Sequence, residues 1–230
     1  SVVVLDAVTG GVLAMASMPA YDPNSFSDGI SQFEWDMLSQ DERVPLRNKT
    51  LQGLYPPGST IKPITALALL NENIDPDETV LCTGRINIAG GTFHCWRRSG
   101  HGVVDMNRAI AESCDIYFYV MGIRVGIQPI ADMARRFGLG ERFSGLPVPY
   151  QYYGTVPDPA WKRRRYNEPW EAYDTVNATI GQGYLLANPL QLAVMTARLA
   201  AGEKTHPKLL AAKEAPAAPL EIDPRMLAIV

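Results

Sequence analysis

Apolar positions along this chain recur with two different periods, and each change of period marks a new element. Two β-rich runs, 2–5 and 12–16, flank Val8-Thr9-Gly10-Gly11. Gly-Gly supplies the positive φ of a tight turn, so a β-hairpin is predicted over 1–17. A lone two-stranded hairpin is marginal in water, which predicts that further strands pair with it from beyond residue 230. Residues 21–48 are polar and irregular, with one short helix expected over 32–40. From Thr60 onward Ile61, Ile64, Leu67, Ala68 and Leu70 fall at helical spacing, predicting a helix from about 59 to about 71. Pro63 is tolerated there because it lies in the first turn, where its missing N–H has no partner to lose.

Residues 80–104 are glycine-rich and aperiodic, with Gly84, Gly90, Gly91, Gly100 and Gly102. Residues 106–125 read as helix interrupted near Ser113, and 129–137 as a further helix closed by Gly138. A long segment rich in proline and aromatics, 139–173, reads as loop with one short helix, and such connections are often functional. A clean helix is predicted over 189–201 from Leu190, Leu192, Ala193, Met195 and Leu199, and a last one after Asp223. No internal repeat is visible.

Composition narrows the class. The 230 residues suit one good-sized domain, 47% apolar and 20% charged, as in ordinary globular proteins. Twenty-one basic against 24 acidic side chains leave a net charge of -3, which argues against a nucleic-acid partner. The one dense basic run, Lys162 to Arg165, reads as a solvated loop. No stretch reaches the ~20 apolar residues of a membrane span, and no signal peptide is present. The chain opens at Ser1 inside an apolar strand and stops in a helix without a cap, so it is expected to be cut from a longer protein at both ends.

The strongest chemical motif is Pro56-Pro57-Gly58-Ser59-Thr60-Ile61-Lys62-Pro63. Residues i and i+3 share one helix face, which brings the Lys62 amine within reach of the Ser59 hydroxyl. A neutral Lys62 amine would then serve as base for a Ser59 nucleophile, and helix-start N–H groups would hold a developing oxyanion. Ser-x-x-Lys alone is weak, because an N-capping serine with an exposed lysine produces the same letters. The Pro-Pro-Gly approach, the helix onset and Pro63 reverse that preference by restraining this one turn.

Fifty-four residues beyond Ser59 stands Ser113-Cys114-Asp115. Ser-x-x-Lys, Ser-Asp-Asn and Lys-Thr-Gly are the motif set of penicillin-binding proteins and class A β-lactamases. Ser113-Cys114-Asp115 matches the second motif, with Asp115 where Asn is commoner. Ser113 would relay a proton between Lys62 and the leaving amine, and Asp115 would orient the lysine or a substrate amide. The competing reading is a helix interruption with a serine back-bond. Lys204-Thr205-His206 has the wrong third residue and follows a helix, so the Lys-Thr-Gly strand is expected beyond Val230.

With both motifs placed, the chain resembles the transpeptidase domain of class B penicillin-binding proteins over nearly all its length. The likeness is greatest to the elongation type, penicillin-binding protein 2, of Gram-negative bacteria. It rests on Leu5-Asp6-Ala7-Val8-Thr9-Gly10-Gly11-Val12-Leu13-Ala14-Met15, on 55–63, on Ser113-Cys114-Asp115-Ile116-Tyr117-Phe118-Tyr119, and on 180–191 with Ile180-Gly181-Gln182-Gly183-Tyr184 and Asn188-Pro189-Leu190-Gln191. The resemblance implies an α+β fold, an antiparallel sheet sandwiched between helices with an all-helical lobe. That lobe would span about 60–137, the glycine-rich loop included, within a transpeptidase domain over 1–230. It implies that Ser59 attacks the D-Ala-D-Ala bond of a peptidoglycan stem peptide and that a neighbouring stem's amine resolves the acyl-enzyme. It further implies acylation by β-lactams, an inner-membrane anchor with a periplasmic catalytic domain, and a membrane glycan polymerase and elongation scaffold proteins as partners. No cofactor is implied for catalysis.

In an oxidising compartment the cysteines matter. Cys82, Cys95 and Cys114 fall within 33 residues, with His101 among them. Three thiolates and one imidazole suit a closed tetrahedral structural zinc site; a Cys82–Cys95 disulfide and free buried thiols are the alternatives. His94 is the weaker ligand because it adjoins Cys95, and His206 is expected on the surface. The runner-up functions are a β-lactam hydrolase or β-lactam sensor with the same chemistry. A hydrolase needs a carboxylate to activate water, for which Glu112 and the loop acids are the available groups. A catalytically dead scaffold is the third reading.

Overall fold

The computed structural model describes residues 1–143, 146–148, 150–209 and 217–230. Strands β1 (Val2–Leu5) and β2 (Val12–Ala16) pair antiparallel, Val2 opposite Ala16, with a slip that sets Leu5 against Val12. Asp6 closes their turn, its carboxylate accepting from the N–H groups of Val8 (2.9 Å) and Thr9 (2.7 Å). Next come α1 (Gln32–Ser39), capped by Ser31, the short α2 (Lys49–Gln52), and a 3-10 turn, Gly58–Ile61, running into α3 (Lys62–Asn71). Strands β3 (Val80–Cys82), β4 (Arg85–Ile88), β5 (Gly91–His94) and β6 (Gly102–Val104) form two small antiparallel sheets, β3 with β6 and β4 with β5. Helices α4 (Met106–Ala111), α5 (Asp115–Val125), α6 (Ile127–Arg136), α7 (Pro159–Tyr166), α8 (Ala172–Thr179), α9 (Pro189–Ala201) and α10 (Pro224–Ile229) complete the described chain. The α+β class holds, with small antiparallel sheets among helices.

The hairpin, α1, α9 and the helix after Asp223 lie where the pattern predicts them, and the break between α4 and α5 covers 112–114, with Ser113 at φ +54° in its middle. The segment 80–104 differs from the expected aperiodic loop. Ala89 and Gly90, both at positive φ, make the two-residue turn that joins β4 to β5. Ile86 and Ile88 turn inward while Arg85 and Asn87 stay exposed. That alternation is only four residues long, too short to stand out among glycines. Helix α8 also went unpredicted, since its polar start is held by a reciprocal Glu171–Asp174 capping box rather than by an apolar stripe.

Helix α3 is buried on all sides from Ile64 to Leu70, which explains its apolar circumference. It packs against α5 and α6, and α5 in turn packs on α8. A second cluster, Leu51, Phe143, Leu146, Leu190 and Val194, fastens α9 beneath Val3, Leu5, Val12 and Met15 of the hairpin. These two bodies of core fix the elements that carry the site.

The basic run at 162–165 corrects the sequence reading. It lies on α7, and only Arg163, Arg164 and Arg165 are exposed. Lys162 is 1% exposed, its Nζ 2.6 Å from Asp174 Oδ2 and stacked over the Tyr173 and Tyr184 rings at 5.2 and 5.8 Å. Burial opposes the charged lysine, but the bond and charge of Asp174 outweigh it and raise the Lys162 pKa. The pair joins α7 to α8. Lys162→Met, which strands the Asp174 carboxylate, is expected to lower the unfolding free energy by about 3–5 kcal/mol in urea titrations. Lys162→Met with Asp174→Leu should lose clearly less; equal losses would show that the pair is not the cause.

Candidate active site and a buried cysteine–histidine cluster

The Ser59 turn is held from outside its own helix. Tyr55 exchanges two backbone hydrogen bonds with Ala187 (2.9 and 3.0 Å), and Gly58 N–H donates to Gly181 O at 2.8 Å. A Cβ on Gly181 would lie 2.2 Å from Gly58 O, so only glycine lets the two backbones approach this closely. Thr60 Oγ1 donates to Pro57 O (2.8 Å), tightening the 3-10 turn. Ser59 emerges exposed at its tip, while Ile61 and Lys62, on the following residues, are buried.

Lys62 turns its amine toward the second motif. Nζ donates to Ser113 O (2.9 Å), Ser113 Oγ (3.0 Å) and Asp115 Oδ1 (2.6 Å), so each ammonium hydrogen has an acceptor. The side chain is 2% exposed and also lies 5.5 Å from the centre of the Phe118 ring. The left-handed conformation of Ser113 presents its carbonyl and hydroxyl together to one donor. Asp115, the first residue of α5, bridges onward by accepting the Trp96 N–H at Oδ2 (3.0 Å). The hydrogen bond expected between Ser59 and Lys62 is not formed: among the described residues the Ser59 hydroxyl bonds to no side chain, and Lys62 reaches Ser113 and Asp115 instead.

Behind this turn the four expected metal-ligating residues converge. Cys82 ends β3, Cys95 follows β5, His101 precedes β6 and Cys114 caps α5; all are buried, and their ligand atoms lie within 4.8 Å of one another. His101 Nδ1 is 3.5 Å from both Cys82 Sγ and Cys95 Sγ. Zn–S and Zn–N bonds of about 2.3 and 2.0–2.1 Å give a tetrahedral edge of roughly 3.5–3.8 Å, close to this spacing. The loop folds back at Gly100 (φ +81°), where a Cβ would meet Cys82 O at 2.2 Å. The cysteines are unpaired, so the Cys82–Cys95 disulfide of the alternative reading is not formed here. Burial pushes the Cys114 thiol up to about 12, a hydrogen bond from the Tyr117 backbone opposes the rise, and Cys82 adds to it. His94 and His206 are exposed and stand outside the cluster.

One residue of this region carried no sequence signal. Trp96 donates its indole N–H to Glu112 O and Ser113 O (3.1 Å each), clamping the strand side of the loop to the second motif. Glu112 directs its carboxylate to Arg108 (2.7 Å) and toward His101, away from Lys62, which leaves it unsuited to activate a deacylating water. Thr205, in the rejected Lys-Thr-His triplet, is buried with its hydroxyl on Ala7 O (3.2 Å).

Known proteins are similar to this chain in sequence and fold. Peptidoglycan D,D-transpeptidase MrdA of Haemophilus influenzae is 40% identical over 218 residues, covering 93% of this chain and 33% of the relative. PBP2 of Helicobacter pylori, solved in complex with MreC, matches with a TM-score of 0.92 at 34% identity over 99% of this chain and 42% of that one. Penicillin-binding protein A of Mycobacterium tuberculosis, solved as a penicillin G acyl-enzyme complex, matches with a TM-score of 0.81 at 27% identity, over 98% and 54% of the respective chains. The chain spans about a third of the length of the curated relatives it matches. Residues 1–228 fit the family described as the penicillin binding protein transpeptidase domain, and the chain belongs to that family.

Proposed function

We propose that this chain is the acyl-transfer core of a peptidoglycan DD-transpeptidase of the cell-elongation type. The observation that carries the reading is the Lys62 ammonium, which ties the helix behind Ser59 to the Ser113–Asp115 turn through three hydrogen bonds. In this mechanism Ser59 Oγ attacks the carbonyl of the D-Ala-D-Ala bond of a stem peptide. With Lys62 in its neutral form, its amine takes the Ser59 proton, which passes on through the Ser113 hydroxyl to the departing amine, so the C–N bond breaks and D-Ala leaves. A neighbouring stem's amine then attacks the Ser59 ester, forming the crosslink and returning the proton to Ser59. Asp115 fixes Lys62 between these transfers, and helix-start N–H groups near Ser59 hold the oxyanion. β-Lactams acylate the same serine, a reading supported by the penicillin G acyl-enzyme of the mycobacterial relative. None of these steps draws on a cofactor.

The working partners in this reading are a membrane glycan polymerase and elongation scaffold proteins, supported by the complex of the Helicobacter relative with MreC. The domain acts in the periplasm on a protein anchored in the inner membrane. Among the described residues no helix is long and apolar enough to cross a membrane. Cys82, Cys95, His101 and Cys114 hold a structural zinc ion; when bound, the ion supplies a rigid crosslink between the 80–104 loop and Cys114, and acyl transfer does not pass through it.

Two outcomes follow. Fluorescent penicillin should label the protein persistently; Ser59→Ala should abolish labelling, and Lys62→Ala should slow acylation by about 10²–10⁴-fold. Rapid release of hydrolysed drug, or labelling that survives Ser59→Ala, would overturn the reading. Protein purified without chelator should contain one zinc per chain with its thiols unreactive until denaturation, whereas metal-free folded protein with a Cys82–Cys95 crosslink would remove the metal.

A further inference from the structure

The imidazole of His101 shows two different sides. Nδ1 faces the sulfurs of Cys82 and Cys95 at 3.5 Å. Nε2, on the far edge of the ring, is buried and bonded to nothing among the described residues. The nearest acidic group is Glu112 Oε2, 3.9 Å away, which is itself buried and without a hydrogen-bond partner. Two orphaned buried polar atoms that face each other are each costly alone, by about 1–3 kcal/mol, and satisfy each other if the ring closes the gap. The carboxylate is not loose. Its other oxygen accepts from Arg108 Nε at 2.7 Å, Arg97 Nη1 stands 3.9 Å from Oε2, and Arg108 is itself anchored to Val103 O (2.8 Å).

We propose that Glu112 is the outer carboxylate of the metal centre, a positioning residue that holds His101 with Nδ1 toward the ion. This rests on the zinc reading above. A neutral imidazole that gives its Nδ1 lone pair to a metal must carry its proton on Nε2, and that N–H needs an acceptor. Glu112 Oε2 is placed to be that acceptor. Metal-bound histidines almost always have such a partner, and it fixes the tautomer, the ring orientation and the basicity of the ligand nitrogen.

The position of Glu112 in the chain gives the contact a wider effect. Consecutive residues of the second motif face alternately: Glu112 and Cys114 reach the cluster, and Ser113 and Asp115 reach Lys62. The Glu112 backbone carbonyl also takes the Trp96 indole N–H, and Trp96 follows the ligand Cys95. The metal centre thereby grips the catalytic turn at two positions, one through Cys114 and one through the His101–Glu112 contact.

The test measures zinc affinity in the full chain by competition with a coloured chelator, for the unaltered protein, Glu112→Gln and Glu112→Ala. Glu112→Ala is expected to weaken zinc about 10–100-fold, the range typical of an outer partner, and Glu112→Gln by less, because its amide oxygen still accepts a hydrogen bond. With cobalt in place of zinc, the visible absorption bands should shift in Glu112→Ala, which a change in folding stability alone would not produce. If Glu112→Ala does not fold, the isosteric Glu112→Gln decides, and an unchanged affinity and cobalt spectrum in it would overturn the proposal. An unaltered protein that binds zinc, with both variants at the same affinity, would refute the role of Glu112 and leave the metal in place. An unaltered protein that binds no zinc would refute both.

Discussion

A buried ammonium needs a full set of acceptors, because an unpaired charge away from water is far too costly to persist. Lys62 meets that demand with three oxygens drawn from two residues, Ser113 and Asp115, more than fifty positions along the chain. The rest of the site follows from this constraint. The helix behind the nucleophile must lie at the depth where its lysine meets the break between α4 and α5, and that break must adopt a left-handed conformation to offer carbonyl and hydroxyl together. Asp115 must be held in place, which the Trp96 backbone N–H secures from the other side. The exposed Ser59 is thus set by a buried neighbour three residues away.

The motifs and the long regular elements were legible because local chemistry dictates them. Pro56-Pro57-Gly58 and Pro63 restrain one turn whatever surrounds it, and the apolar residues of 61–70 and 190–199 repeat at a period no strand can use. The convergence of Cys82, Cys95, His101 and Cys114 could be anticipated as well, since so few residue types bind metal. The glycine-rich stretch was harder, because its strands are three or four residues long and owe their pairing to positive φ at Ala89 and Gly90. Alanine in that conformation gives no warning in the sequence. The Lys162–Asp174 pair was hidden for a related reason: four basic residues in a row look alike, and only the packing of α7 on α8 selects which one is buried.

The direction of the Lys62 side chain was the least legible feature. Spacing places Ser59 and Lys62 on one helix face, and the 3-10 turn Gly58–Ile61, which eclipses residues three apart, keeps them there. The strong acceptors, however, lie across the core at Ser113 and Asp115. Tertiary charge, which sequence periodicity does not encode, decides where the amine points.

The alternation along Glu112, Ser113, Cys114 and Asp115 has a consequence for how such proteins can change. Neighbouring side chains serve two different centres, so a one-residue insertion or deletion would hand the cluster's contacts to Lys62 and the lysine's acceptors to the cluster. Substitutions can tune either centre separately, but the length of this segment is fixed as firmly as the reading frame of a message. Divergence here must proceed letter by letter.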